Sequence, residues 1–152
     1  MSRELLLADA GATEALGAAL ARARPAHGVV FLEGELGAGK STLARALLRA
    51  LGVTGAIRSP TYTLVERYPV PGGEAAHLDL YRLAAASELD FLGLDELSAE
   101  AGLWLVEWPE RGQGGLPAPD LRLHLAVDGA GRRVRLEATS PAGEDWLARV
   151  AS

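Results

Sequence analysis

The stretch "FLEGELGAGKSTLARALLRALG", residues 31–52, decides the fold of this chain. It places a short run of β-type residues before a glycine-rich loop and a leucine-rich helical pattern after it. Residues 34–41 match the pattern G-x-x-x-x-G-K-[ST] at every defined position. Glycines let backbone N–H groups face phosphate oxygens, and the start of the following helix adds partial positive charge. The stretch therefore predicts a site for a nucleoside triphosphate, whereas a glycine turn that caps an ordinary helix is the alternative.

The same stretch holds the only lysine of the chain, because the other fourteen of its 15 basic residues are arginine. A solvated surface cation can be either residue. A compact ammonium group among phosphate oxygens is not readily replaced by a planar guanidinium. We therefore expect Lys40 to contact the β- and γ-phosphates, and Ser41 to ligate Mg²⁺ through its hydroxyl.

The composition of the 152 residues, 49% hydrophobic and 23% charged, predicts a single domain over residues 1–152. No apolar run reaches the roughly 18 residues of a membrane helix, and the start lacks a signal-peptide pattern. The absence of cysteine excludes disulfides and thiolate sites and fits a cytoplasmic protein. A net charge of −5 argues against a protein that coats nucleic acid. Arg132, Arg133 and Arg135 form either a local basic patch or the solvated face of a hairpin.

Strand and helix patterns alternate on both sides of the glycine loop. Thr13 precedes "EALGAALARA", which predicts a helix capped by Thr13. C-terminal to the loop, the patterns predict a turn and strand in residues 59–70, strands over 76–83 and 102–109, a hairpin of "LRLHLAV" and "RRVRLEA", and a closing helix over 143–150. This mixture predicts an α/β fold: a three-layer P-loop NTPase-like sheet with parallel core strands, added antiparallel strands and a C-terminal hairpin.

Acidic and hydroxyl side chains at strand ends are the candidates for chemistry on a bound nucleotide. Glu107 follows the apolar run "LWLV", where a carboxylate can ligate Mg²⁺ or position water; otherwise it is a solvent-facing acid at a strand end. Asp79 in "HLDLY" is a second strand acid that could converge on the site. Thr61 and Thr63 in "SPTYT" resemble hydroxyls that sense a γ-phosphate, or they belong to a plain turn.

The aromatic residues and histidines carry weaker signals. Trp108 follows Glu107 and either stacks near a nucleotide or partner, or packs at the rim of the core. Trp104 and Trp146 are interpreted as packing residues. The histidines lack metal-ligand spacing and are interpreted as structural or surface residues. They are His27, His77 and His124.

Five segments together resemble the bacterial TsaE family, formerly called YjeE: "GELGAGKST", "SPTYTLVERY", "HLDLYRL", "ELDFLGLDEL" and "LVEWPERG". Their order and approximate spacing match over the region from about Thr13 to the hairpin near Arg132. The resemblance implies a small ATPase, using ATP and Mg²⁺, that is needed for threonylcarbamoyladenosine modification of tRNAs reading codons that start with A. It implies action on TsaB and TsaD, which transfer the group, so that tRNA is reached only through the complex. We expect no membrane association, and a monomer or weak self-association.

The resemblance also implies roles for individual residues. Ser41 corresponds to the hydroxyl on Mg²⁺, where many relatives have threonine, and Glu107 corresponds to the acid on the Mg²⁺ side. Asp79 has an implied catalytic or metal-supporting role, and Thr61 falls in a switch-like segment. The implied catalytic residues are thus Lys40, Glu107, Asp79 and Thr61. The implied nucleotide-binding residues are Gly37, Ala38, Gly39, Lys40, Ser41 and Thr42 in the phosphate cradle, Thr13 on the adenine side, Trp108 and Arg132.

Three functions stay open at the level of sequence. The first is an ATPase that is slow alone and stimulated by its protein partners. The second is a small-molecule P-loop kinase, which needs an acceptor pocket and usually an arginine-bearing lid; the loop "RGQGGLPAPD" offers only Arg111 for such a lid. The third is a binding module that ATP occupancy gates without any required hydrolysis.

Overall fold

The strands form one seven-stranded sheet in the order β1-β7-β6-β2-β5-β4-β3. We describe it from a computed structural model, which covers residues 1–58, 60, 63–94, 96 and 101–150. The strands are β1 Ser2–Leu7, β2 Gly28–Glu33, β3 Val65–Val70, β4 Gly73–Asp79, β5 Ala101–Glu107, β6 Leu121–Asp128 and β7 Gly131–Ala138. The α-helices are α1 Ala10–Ala23, α2 Lys40–Ala50 and α3 Pro141–Val150, and 3-10 segments span Ala86–Leu92 and Pro109–Gly112.

The centre of the sheet is parallel and its margins are antiparallel. Strand β2 pairs in parallel with both β5 and β6, and β4 pairs in parallel with β5. Strand β3 adds antiparallel to β4, while β7 and then β1 add antiparallel to β6. The predicted α/β fold with a parallel core, added antiparallel strands and a C-terminal hairpin is confirmed.

Alternate residues of the central strands pack into two cores, one on each face of the sheet. The core on one face joins the sheet to the helices, with Leu20 of α1, Leu47 of α2 and Trp146 of α3 among its buried members. The core on the other face joins strand residues to the connecting segments, with Leu80 and Leu89 buried against the sheet. None of the described helices has the length and apolar character needed to cross a membrane.

Several predicted boundaries are wrong, and two of the errors come from an aspartate. The strand predicted over residues 102–109 ends at Glu107, and the closing helix predicted over 143–150 begins at Pro141. Helix α1 begins at Ala10, because Asp9 is its N-cap and accepts a hydrogen bond from the Ala12 N–H at 2.9 Å. Thr13, the predicted cap, is instead buried within the first turns of the helix at 7% exposure. The strand predicted over residues 76–83 ends at Asp79, whose Oδ1 accepts the Tyr81 N–H at 3.0 Å and turns the chain.

Candidate nucleotide-binding site

The glycine loop between β2 and α2 has the backbone that its sequence predicts. Gly34, Gly37 and Gly39 have φ values of 146°, 81° and 104°, a region that favours glycine. At Gly34 the requirement is also steric, because a Cβ would collide with the carbonyl of Leu125 in β6. Gly39 is the N-cap of α2 and has no side chain to cap it. The N-terminal N–H groups of α2 are therefore suited to an anion.

Lys40, the single lysine, is buried at 5% exposure in this loop. Its ammonium donates hydrogen bonds to the carbonyl of Gly34 and, at 3.0 Å, to that of Glu35. The same Nζ lies 4.2 Å from the centre of the Trp108 ring, a cation–π contact. Burial lowers the pKa of Lys40, while the nearby carboxylates, Glu107 first, oppose that shift. The ammonium is thus fixed between the loop and an aromatic ring.

Glu107, the last residue of β5, joins the glycine loop to the sheet. It is 2% exposed, and the Ser41 hydroxyl donates to its carboxylate, with Oγ 2.9 Å from Oε1 and 3.1 Å from Oε2. From the neighbouring strand, His77 Nε2 lies 2.6 Å from Oε2. The carboxylate is therefore held from two sides, by the first turn of α2 and by β4.

Asp79 lies beside Glu107 at the same edge of the sheet. The two residues are register partners at the C-terminal ends of the parallel strands β4 and β5, and Asp79 is also buried. A serine hydroxyl and carboxylates are oxygen donors of the kind that Mg²⁺ prefers. No group of three or more His, Cys, Asp or Glu residues that could hold a metal occurs in the described part of the chain. Ser41 and Glu107 would hold a Mg²⁺ ion together with phosphate oxygens and water.

Trp108 forms an aromatic wall next to these acids. Its φ of 57° and ψ of 50° place a bulky residue in the left-handed region, which is uncommon and strained. Its ring centre lies 4.9 Å from that of Tyr81, and the Arg111 guanidinium lies 5.2 Å from the Tyr81 ring and 5.8 Å from the Trp108 ring. Lys40 and Arg111 thus contact a pair of rings, Trp108 after β5 and Tyr81 after β4, at the edge of the sheet that carries Glu107.

A cleft of about 350 Å³ brings most of the predicted site residues together. Those that line it are Gly37, Gly39, Lys40, Ser41, Thr42, Asp79, Glu107, Trp108 and Arg132. A second cavity of about 210 Å³ is lined by Thr13 and shares Gly39, Thr42 and Arg132 with the first. The two cavities therefore adjoin across the start of α2 and the hairpin residue Arg132.

Two predicted residues differ from this pattern. Ala38 lies inside the loop, buried, and its N–H donates to the Glu35 carbonyl at 3.1 Å, so it lines neither cavity. Thr61 lies outside the described residues. Its predicted role stays a prediction.

Of the three clustered arginines, only Arg132 lines the cleft. Arg133 pairs with Glu4 and Asp128, at 2.6 Å in each case, and Arg135 Nη1 lies 4.0 Å from Glu137. These pairs favour the interpretation of the cluster as the solvated face of a hairpin over that of a basic patch.

The sequence interpretation missed His77 behind the site, and Tyr81 and Arg82 on the wall of the cleft. His77 is a buried residue that contacts Glu107, a role that the sequence interpretation as a structural or surface histidine does not specify. The spacing held a usable signal: His77 and Asp79 are two residues apart, so they point to one face of β4. The position of His77 two residues before a candidate metal acid therefore predicts that both side chains belong to the same site.

Comparison with known proteins agrees over most of the chain. The family model described as "Threonylcarbamoyl adenosine biosynthesis protein TsaE" matches residues 7–134. The tRNA threonylcarbamoyladenosine biosynthesis protein TsaE of Haemophilus influenzae is 42% identical over 119 residues, which cover 78% of this chain and 75% of that protein. The protein of the same name from Streptomyces coelicolor is 39% identical over 136 residues, covering 86% and 91%.

The fold agrees as well. The crystal structure of YdiB from Bacillus subtilis superposes with a TM-score of 0.83 and 26% sequence identity, covering 99% of this chain and 95% of that one. The family match spans the glycine loop, both strand-end acids and Arg132. The chain therefore belongs to the TsaE family, whose members take part in the biosynthesis of tRNA threonylcarbamoyladenosine.

Proposed function

We propose that this protein binds ATP with Mg²⁺ in the cleft, hydrolyses the ATP, and thereby acts on the TsaB–TsaD assembly that modifies tRNA. The observation that carries the proposal is the hydrogen bond between Ser41 and Glu107. It joins the hydroxyl at the start of the loop helix to a buried strand-end carboxylate, beside the ammonium of Lys40. This is the set of groups that a P-loop nucleotide hydrolase requires.

The glycine loop would hold the phosphates. Its backbone N–H groups and the start of α2 supply fixed partial positive charge, and Lys40 supplies a full one. Phosphate oxygens would compete for the ammonium hydrogens that now bond to the Gly34 and Glu35 carbonyls. Arg132 lines both cavities and would neutralise charge from the hairpin side.

Ser41 and Glu107 would hold Mg²⁺, and the ion would neutralise charge that develops on the transferring phosphoryl group. Asp79, next to Glu107 in register, would support the metal or orient the attacking water. The second cavity would receive the nucleoside, with Thr13 on its wall and Trp108 on the phosphate side of the cleft. Thr61 would sense the γ-phosphate from the switch-like segment.

The partner dependence follows from the chemistry of hydrolysis. A small nucleotide hydrolase often lacks part of the charge that stabilises the transition state, and a partner can complete it. We therefore expect slow hydrolysis by the protein alone and faster hydrolysis with TsaB–TsaD. Equal rates with and without the partners would contradict this part of the proposal.

A multi-turnover tRNA modification assay with purified TsaB and TsaD tests the proposal. Native protein should support repeated modification, and Lys40→Ala should lose ATP binding. Glu107→Ala should lose hydrolysis and bind ATP more weakly with Mg²⁺, but it should still bind at saturating ATP. Both variants should stop modification after at most one cycle. If Glu107→Ala binds ATP, fails to hydrolyse it and still supports unchanged repeated modification, the protein is a nucleotide-gated binding module instead.

A further inference from the structure

We infer that His77 is a positioning residue that holds the Glu107 carboxylate in the orientation needed on the metal side of the site. The inference rests on the proposed function, because it concerns the acid that would hold Mg²⁺. It starts from a polar ring in an apolar place. His77 has no exposed surface, and its strand neighbours Ala75, Ala76 and Leu78 have none either.

Hydrogen bonding explains why an imidazole occupies this position. His77 Nε2 lies 2.6 Å from Glu107 Oε2, a short contact in which the ring N–H donates to the carboxylate. The other ring nitrogen, Nδ1, has no hydrogen-bond partner within the described residues. A buried polar group without a partner is unfavourable, so an aliphatic side chain would suit the position better if packing were its only task. The contact with Glu107 is therefore what the imidazole contributes.

The geometry shows what that contact does. A glutamate carboxylate turns easily about its last torsion, so a single hydrogen bond leaves its orientation loosely defined. Here Ser41 approaches from α2 and His77 approaches from β4, which together fix both ends of the group. Without His77, the attraction of the Lys40 ammonium and the Ser41 hydroxyl alone would set the orientation of the carboxylate. Partners behind a metal-binding carboxylate commonly change metal affinity by about 10- to 100-fold.

Three substitutions at one position separate positioning from packing. His77→Leu removes the donor. His77→Gln places an amide N–H where Nε2 lies, whereas His77→Asn has the same amide on a shorter side chain that does not reach Glu107. The measured quantity is the affinity for a fluorescent ATP analogue, with excess Mg²⁺ and with EDTA, and the ratio of the two affinities is the gain due to Mg²⁺. Circular dichroism and thermal unfolding of each variant report the fold.

The expected result is selective. His77→Leu and His77→Asn should reduce the Mg²⁺-dependent gain by about tenfold or more, while affinity in EDTA stays within about twofold of native. His77→Gln should restore most of the gain. If His77→Leu fails to fold, the Gln and Asn variants carry the test, because they share an amide and differ only in its reach.

Three results would overturn the inference. An unchanged Mg²⁺-dependent gain in His77→Leu and His77→Asn would show that Glu107 needs no help from the ring, and would leave the proposed function intact. An equal loss of affinity with Mg²⁺ and with EDTA would show that His77 serves only the fold. A native protein that binds no ATP, or binds it without any effect of Mg²⁺, would overturn the proposed function together with the inference.

Discussion

Lys40→Arg is expected to weaken ATP binding although it conserves the charge. Lys40 is nearly buried, with its Nζ bonded to the Glu35 carbonyl at 3.0 Å and 4.2 Å from the Trp108 ring centre. The guanidinium is larger and planar, so it does not fit the space of an ammonium without moving the loop or the ring. Losing one charge-assisted hydrogen bond costs about 1.5–3 kcal/mol, which corresponds to a roughly 10- to 150-fold weaker affinity.

Equilibrium titration with a fluorescent ATP analogue in Mg²⁺ buffer measures this loss. Overpacking should also lower the free energy of unfolding by about 1–3 kcal/mol, which urea denaturation reports. The matched control is Arg45→Lys, the reverse exchange in the same helix at a half-buried residue that lines neither cavity. The control should bind normally. Native affinity in Lys40→Arg would refute the argument that the site selects lysine for its shape.

Three further outcomes are expected. Glu107→Gln should reduce the rate of ATP hydrolysis by about 100-fold or more in single-turnover kinetics. Its affinity for ATP in EDTA, measured by titration, should stay nearly unchanged. A hydrolysis rate close to native would argue against a role for the carboxylate. Gly34→Ala should lower the free energy of unfolding by more than about 1 kcal/mol, because the added Cβ meets the Leu125 carbonyl. Gly37→Ala should lower it less, because a Cβ there meets open space. Equal urea midpoints of the two variants would contradict the clash. Burial lowers the pKa of Lys40 from 10.5. Between the lowered pKa and 10.5 the unfolded chain binds more protons than the folded protein, so the free energy of unfolding should rise with pH. Urea denaturation from pH 7 upward should show this rise in the native protein and not in Lys40→Met, and parallel curves for the two proteins would contradict the expectation.

The elements that a local pattern encodes could be predicted from the sequence. Residues 34–41 needed no long-range information, because the glycines, the lysine and the following helix are consecutive. The hairpin of β6 and β7 was also accessible, since its strands alternate regularly around a short turn. The existence of β5 followed from its apolar run, and Glu107 was recognised as the acid after that run, although the strand was predicted to continue to residue 109. These features place the candidate nucleotide site on the parallel core.

The features that depend on distant contacts could not be read in this way. Asp9 and Thr13 both suit a helix cap, so the residue types alone do not show that Asp9 is the cap of α1. Strand β1 pairs with β7, which lies more than a hundred residues later in the chain. The short apolar run in β1 does not indicate which strand it pairs with. The spacing of His77 and Asp79 places both residues on one face of β4, but the contact of His77 with Glu107 joins two strands and is not encoded in either one.

The strand order has a consequence for the time at which the site can form. Strand β2, which leads into the glycine loop, lies between β5 and β6, and both are synthesised long after it. The residue of β6 beside Gly34 is Leu125, and Arg132 on the cleft belongs to β7, which is synthesised later still. Such distant pairings slow folding and leave apolar strand edges open to aggregation on a growing chain. A nucleotide would stabilise only the finished protein, so ATP in the cell would act as a ligand that favours completion of the fold.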